Sequence, residues 1–187
     1  MIGKKSSPPA GQRLLVGLAA ASVVMTAAMK PLQANIEGFQ LQGTGTLRWM
    51  GLKIYDARLF TPHRLDPQQL AKQPFALELT YARDFSGNSI AERSMDEIKR
   101  LGMGSASQRQ AWYLRMQALF PDVKAGDRIR GVYRPGEGAL FFHNDSPIGS
   151  INDIDFARAF FAIWLDPKTA KPSLRKELLG LSPSAQP

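Results

Sequence analysis

The chain has 187 residues, a length that suits one domain, and 44% of them are aliphatic or aromatic, too many for a disordered chain. Its formal charge is +8, from 24 Lys and Arg against 16 Asp and Glu. Cysteine is absent, which excludes a disulfide framework, a thiol nucleophile and a thiolate metal site.

Residues 1–13 carry Lys4, Lys5 and Arg13 and no acid. An apolar run of 15 residues follows, Leu14 to Ala28, short of the roughly 20 that a membrane-spanning helix needs. Pro31 breaks any helix there, and Leu32-Gln33-Ala34 fits a small-residue cleavage site. This pattern predicts a secretory signal peptide over 1–34, cleaved after Ala34, and export to a periplasm-like compartment. The rival reading is an uncleaved N-terminal anchor. No later segment is long and apolar enough to span a bilayer. Subtracting the four cations of residues 1–34 (Lys4, Lys5, Arg13, Lys30) from +8 leaves +4 for the remainder. Those cations are scattered and form no basic stripe, so no nucleic-acid partner is expected.

After Ala34, "IEGFQLQGTG" reads as a short strand ending in a Gly-rich turn, and "GTGTLRWMGLKIYDARLF" as a hairpin. "TPHRLDPQQLAKQ" is a loop with a short helical turn. In "FALELTYAR", Phe75, Leu77, Leu79 and Tyr81 alternate with Glu78 and Thr80, the pattern of a half-buried strand. A helix follows Gly87, with Ser89 and Glu92 at capping-box spacing and Ile90, Met95, Ile98 and Leu101 on its buried face. "ASQRQAWYLRMQALFPD" predicts a second helix that buries Trp112, Met116, Leu119 and Phe120. Residues 125–144 form a hairpin turning at Pro135–Gly138, and "IGSI" a last strand. A third helix starts near Asp153 and stops at Pro167. A short fourth one has Pro172 early and Gly180 at its end. The domain spans 35–181, and a polar tail runs from 182 to 187. Paired strands and paired helices, without a strand–helix–strand rhythm, predict an α+β fold: an antiparallel sheet covered on one side by helices.

If Met50-Gly51 is a two-residue turn, Trp49 pairs with Leu52, Arg48 with Lys53, and Thr46 with Tyr55. Leu47, Trp49, Leu52 and Ile54 then share one face. Thr44, Thr46, Arg48, Lys53, Tyr55 and Ala57 share the other. This stripe is either the wet face of the sheet or an anion pocket, with Arg supplying a planar fork and Tyr a hydroxyl.

The same hairpin resembles the first core hairpin of the chalcone isomerase superfamily. "VKAGDRIRGVYRPGEGALFF" resembles its intervening hairpin, and "IDFARAFFAIWLDPKTAKPSLRKELLG" its C-terminal helices. Together these cover nearly all of residues 36–180, most like the bacterial exported branch. The resemblance implies an open-faced sandwich with a ligand cleft between sheet and helices. It implies that Arg48 is the ligand-facing Arg, which steadies a phenolate or enolate in plant isomerases and meets the carboxylate in plant fatty-acid binders. Tyr55 matches a position that is Thr in the isomerases and Tyr in the binders. Ile90 stands where the isomerases carry a Tyr, which removes a phenol from their water network. Thr46 and Ile90 are further candidates for the pocket wall.

Other chemistry finds little support. His63 and His143 are the only histidines, one in a Pro-rich loop and one near a turn, so no metal is expected. No Gly-x-Ser-x-Gly elbow appears. Glu92, Arg93 and Asp96 read as a solvated helix face, and Trp112 and Trp164 as core. Gly136 and Gly138 form a turn with no helix after it, which excludes a phosphate loop. Two functions are expected: a non-catalytic binder of a lipophilic anion such as a fatty acid, without cofactor, or an isomerase (intramolecular lyase) acting on a phenolic or enone substrate.

Overall fold

The computed structural model describes residues 36–181. The expected leader over 1–34 and the tail over 182–187 lie outside these residues. Six strands form one antiparallel meander: β1 (Gln40–Trp49), β2 (Leu52–Thr61), β3 (Phe75–Tyr81), β4 (Arg128–Arg134), β5 (Gly138–His143) and β6 (Ser146–Ile151). Helices α1 (Gly87–Arg100), α2 (Ala106–Leu119), α3 (Ile154–Leu165) and α4 (Pro172–Leu179) complete the expected α+β architecture.

Alternation along the strands sends one set of side chains toward the helices. Leu59, Leu77, Ile129 and Phe141 lie there, with the α3 rings Phe156, Phe160 and Phe161 above them, all buried. Phe161 meets Phe75 edge-to-face at 5.0 Å and Phe160 meets Phe141 at 5.3 Å. Gly131 makes room on β4, because a Cβ there would stand 3.0 Å from the Phe161 ring.

The other sheet face is not simply wet. Glu78 is 5% exposed and lies within 3.7–3.9 Å of Arg58, Arg128 and Arg130. The Arg58 and Arg130 guanidiniums stack over Phe60 and Phe142. Ile36 and Phe39 cover the apolar end at Ala76, Val132 and Phe142.

Three local expectations are corrected. Gly43-Thr44-Gly45 is no turn but the middle of the ten-residue β1. A side chain at Gly43 would strike the Glu177 and Leu178 carbonyls, so the glycines let α4 lie directly on the strand. The cap of α1 is Ser86, which accepts from the Ser89 amide at 3.1 Å, rather than a box at Ser89 and Glu92. The true capping box belongs to α2, where Ser105 and Gln108 exchange bonds.

Asp153 caps α3 as its position suggests, and does more. One oxygen accepts from the Phe156 amide and the other from the buried Trp112 indole, both at 2.9 Å. Burial pushes this carboxyl up, but the bonds from Phe156 and Trp112 outweigh it and hold it below the usual range. A depressed folded pKa stabilises above the unfolded value and loses that contribution as pH falls through the folded one. Asp153→Ala removes the cap and strands a buried indole donor, so urea denaturation at pH 7 should show a loss of about 2–4 kcal/mol. Asp153→Asn keeps one acceptor oxygen, enough for the Phe156 cap, and leaves the Trp112 indole facing an NH2 donor, so it should recover only part of the Ala loss; a loss in neither variant would refute this account.

Candidate functional site

The β1–β2 turn forms as expected. Met50 and Gly51 have φ of +48° and +79°, the type I′ signature, and Trp49 pairs with Leu52 and Arg48 with Lys53. The register then departs from expectation, because Leu47 pairs with Tyr55 and Thr46 with Asp56. Ile54 is an extra residue, a β-bulge, and one inserted residue moves every later side chain of β2 to the opposite face. Tyr55 and Ala57 therefore turn toward the helices. Thr46, Arg48 and Lys53 stay on the outer face.

Between this end of the sheet and helices α1 and α3 lies a cavity of about 440 Å³. Its floor is Leu79, Ile129, Phe120 and Phe160, with Leu47, Trp49 and Ile54 from the hairpin and Ile90 from α1. Tyr55 and Ile90, expected at the site, line it. Arg48 and Thr46 are not among its lining residues and lie on the outer face of the sheet. There Asp56 is held below the usual carboxylate range by hydrogen bonds from Lys53 and Thr46, with Arg48 adding attraction.

The polar lining comes from residues that sequence reasoning placed elsewhere. Trp164, expected as core, is 7% exposed and donates its indole N–H to the Tyr55 hydroxyl oxygen at 2.9 Å. An indole only donates, so Tyr55 accepts and keeps its own proton for another partner. Tyr81, expected on the apolar face of β3, packs edge-on to Tyr55 with ring centres 6.1 Å apart. It is 6% exposed and lines the cavity, and its hydroxyl has no hydrogen-bond partner among the described residues. Burial pushes the Tyr55 phenol up to about 12, against the bond from Trp164, and burial raises Tyr81 as well. Both remain protonated donors across the physiological range.

Charge enters from α1 and the loop after α3. Arg93, expected on a solvated face, lines the cavity while its side chain is 68% exposed. Glu97 is buried, but Arg93 at 2.6 Å and the Arg100 Nε at 2.7 Å occupy its two oxygens. Arg100 also donates to the Lys168 carbonyl at 3.0 Å, which ties α1 to the rim loop carrying Thr169 and Lys171. Ser94 and Ser89 line the wall too, the first bonded to the Ile90 carbonyl and the second to Ser86. The cavity thus offers two unspent phenol protons in an apolar chamber, with Arg93 and Lys171 as cations. The alternation of β3 places Tyr81 on the inward face but does not mark it as a site residue, and Arg93 carries a signal: it sits three residues after Ile90 on α1.

His63 is exposed in its loop, and His143 lies 3.4 Å from Asp127. Among the described residues no three His, Asp or Glu side chains converge to hold a metal ion, and no helix is long and apolar enough to cross a membrane.

Comparison with known proteins gives a consistent result. The model of a family described as chalcone isomerase-like matches residues 20–180. Among solved structures, a fatty-acid-binding protein of Arabidopsis thaliana is similar, with a TM-score of 0.55 at 13% identity. The match covers 76% of this chain and 87% of that one, and at such identity it speaks to the fold. A comparison with curated protein sequences finds no match.

Proposed function

The chain belongs to the chalcone isomerase-like family, and from that premise we propose that it is a non-catalytic binder of a lipophilic carboxylate such as a fatty acid. The observation that carries this reading is the pair of phenols, Tyr55 and Tyr81, which line an apolar cavity and whose protons have no acceptor among the described residues. A volume of about 440 Å³ lies in the usual range of small-molecule sites. The alkyl chain takes the aromatic and aliphatic floor, the carboxylate accepts from the phenols, and Arg93 and Lys171 favour an anion. Binding alone fits the lining: its carboxylate, Glu97, is already held by two arginines, and its serines are bonded within α1 or to its cap. The fold is shared with a plant protein described as fatty-acid-binding.

The charged start, the apolar run Leu14–Ala28 and Leu32-Gln33-Ala34 support export and removal of residues 1–34. N-terminal sequencing of the exported protein should begin at Asn35; a chain beginning at residue 1 or 2 in the membrane fraction refutes cleavage. Native mass spectrometry of that protein should show an acidic lipid adduct. After delipidation, dodecanoate should bind and its methyl ester bind more weakly; binding of neither removes the binder reading.

The second reading, an isomerase acting on a phenolic or enone substrate, draws on the same phenols, which would donate equally to an enolate oxygen. Turnover of a chalcone well above the spontaneous rate would favour it.

A further inference from the structure

The tip of the β1–β2 hairpin carries three large apolar side chains that the fold leaves in water. Trp49 is 60% exposed, Met50 80% and Leu52 51%. Met50 is doubly out of place. It holds φ of +48°, a left-handed position where Asn, Asp or Gly is favoured in this turn type. It also presents a thioether to solvent where a polar residue would be hydrated. Nothing in the described structure compensates for either.

Two further features belong to the same tip. Trp49 lines the cavity, so the exposed patch continues into the cavity mouth. Arg48 and Lys53 face each other across the hairpin directly behind the tip, Lys53 paired with Asp56, and Lys171 lines the cavity as well, so Arg48 and Lys171 are the cations left for an anionic surface. An apolar point containing a tryptophan and flanked by cations is the chemistry that enters a lipid headgroup region. A protein partner fits less well, because a convex turn of this size cannot offer the roughly 1,000 Å² that specific interfaces bury.

We propose that the hairpin tip docks on an anionic lipid bilayer, with Trp49, Met50 and Leu52 entering the headgroup layer and the cavity mouth held against it. Resting on the binder reading, this gives the ligand a route between membrane and cavity that avoids water. The docking step itself needs no ligand.

The test uses the exported protein, its N-terminus determined, with vesicles of phosphatidylglycerol and phosphatidylcholine or of phosphatidylcholine alone. Trp49 is the only strongly exposed tryptophan, since Trp112 and Trp164 are 1% and 7% exposed. Brominated lipid should therefore quench a distinct, solvent-exposed part of the emission. Flotation should show binding to the anionic vesicles that weakens with salt and falls about tenfold or more in Met50→Asp. Asp tolerates the left-handed φ, so Met50→Asp should keep its thermal midpoint and its dodecanoate affinity. No binding to anionic vesicles, equal binding to neutral ones, unquenched emission, or wild-type binding by Met50→Asp would each overturn the proposal. Self-association that Met50→Asp abolishes, without vesicle binding, would assign the tip to a second copy instead. Vesicle flotation without ligand and titration without vesicles fail independently, so loss of one proposal is told apart from loss of the other.

Discussion

Replacing Tyr55 and Tyr81 together by Phe should weaken dodecanoate binding about a hundredfold or more. A hydrogen bond to a charged group contributes about 1.5–3 kcal/mol, which is tenfold or more in affinity for each phenol. The two act on one carboxylate, so the double variant measures their joint effect better than a sum of singles. The singles differ in their effect on the empty protein. Tyr55→Phe strands the Trp164 indole N–H, whose present bond is 2.9 Å, and should lower stability by about 1–3 kcal/mol. Tyr81→Phe removes a hydroxyl with no partner among the described residues, so it should leave the empty protein as stable or more so. Arg48→Ala is the control. Its side chain lies on the outer face, and affinity should remain within about twofold of wild type because a screened, distant charge contributes little. Titration calorimetry of delipidated variants, with unfolding measured in parallel, decides the matter. A double variant that binds like wild type removes the phenols from the site; a large loss in Arg48→Ala would restore the ungapped hairpin register.

The largest stability effect should come from Gly43→Ala. The added methyl would overlap the backbone carbonyl oxygens of Glu177 and Leu178, which can yield only if α4 lifts from β1. Overpacking of this kind typically costs 1–3 kcal/mol and more when backbone must move, so about 3 kcal/mol or more is expected. Gly45→Ala provides the comparison two residues away. Its new methyl would meet the Glu177 carboxylate and the Leu174 Cδ1, both ends of side chains that can rotate aside. About 1 kcal/mol is expected there. Chemical denaturation at neutral pH orders the two; a Gly45→Ala loss that equals or exceeds that of Gly43→Ala would mean that α4 is not held on β1 at this spacing.

Most secondary elements were legible in the local chemistry, because turn residues and hydrophobic period act over a few positions. Met50-Gly51 made the tight turn, Pro172 and Gly180 bracket α4, and the alternation from Phe75 to Tyr81 marked β3 and its buried face. Asp153 stood at the start of α3 with the apolar run behind it. Those signals, with the absence of a strand–helix rhythm, were sufficient for the α+β class.

The faces of the hairpin and the charge of the cavity follow from contacts between distant parts of the chain. The side of a strand is a matter of parity, and Ile54 as one bulged residue reverses it for Tyr55 and all that follow, while Arg48 is left behind on the outer face. Whether Gly43-Thr44-Gly45 turns or continues depends on α4, far along the chain, whose carbonyls come close enough that only glycine fits. Tyr81 and Trp164 have the composition of core residues and occupy core positions. They become part of a site because the helices stand off the sheet at that end and leave a space for which neither residue's neighbours in sequence hold any information.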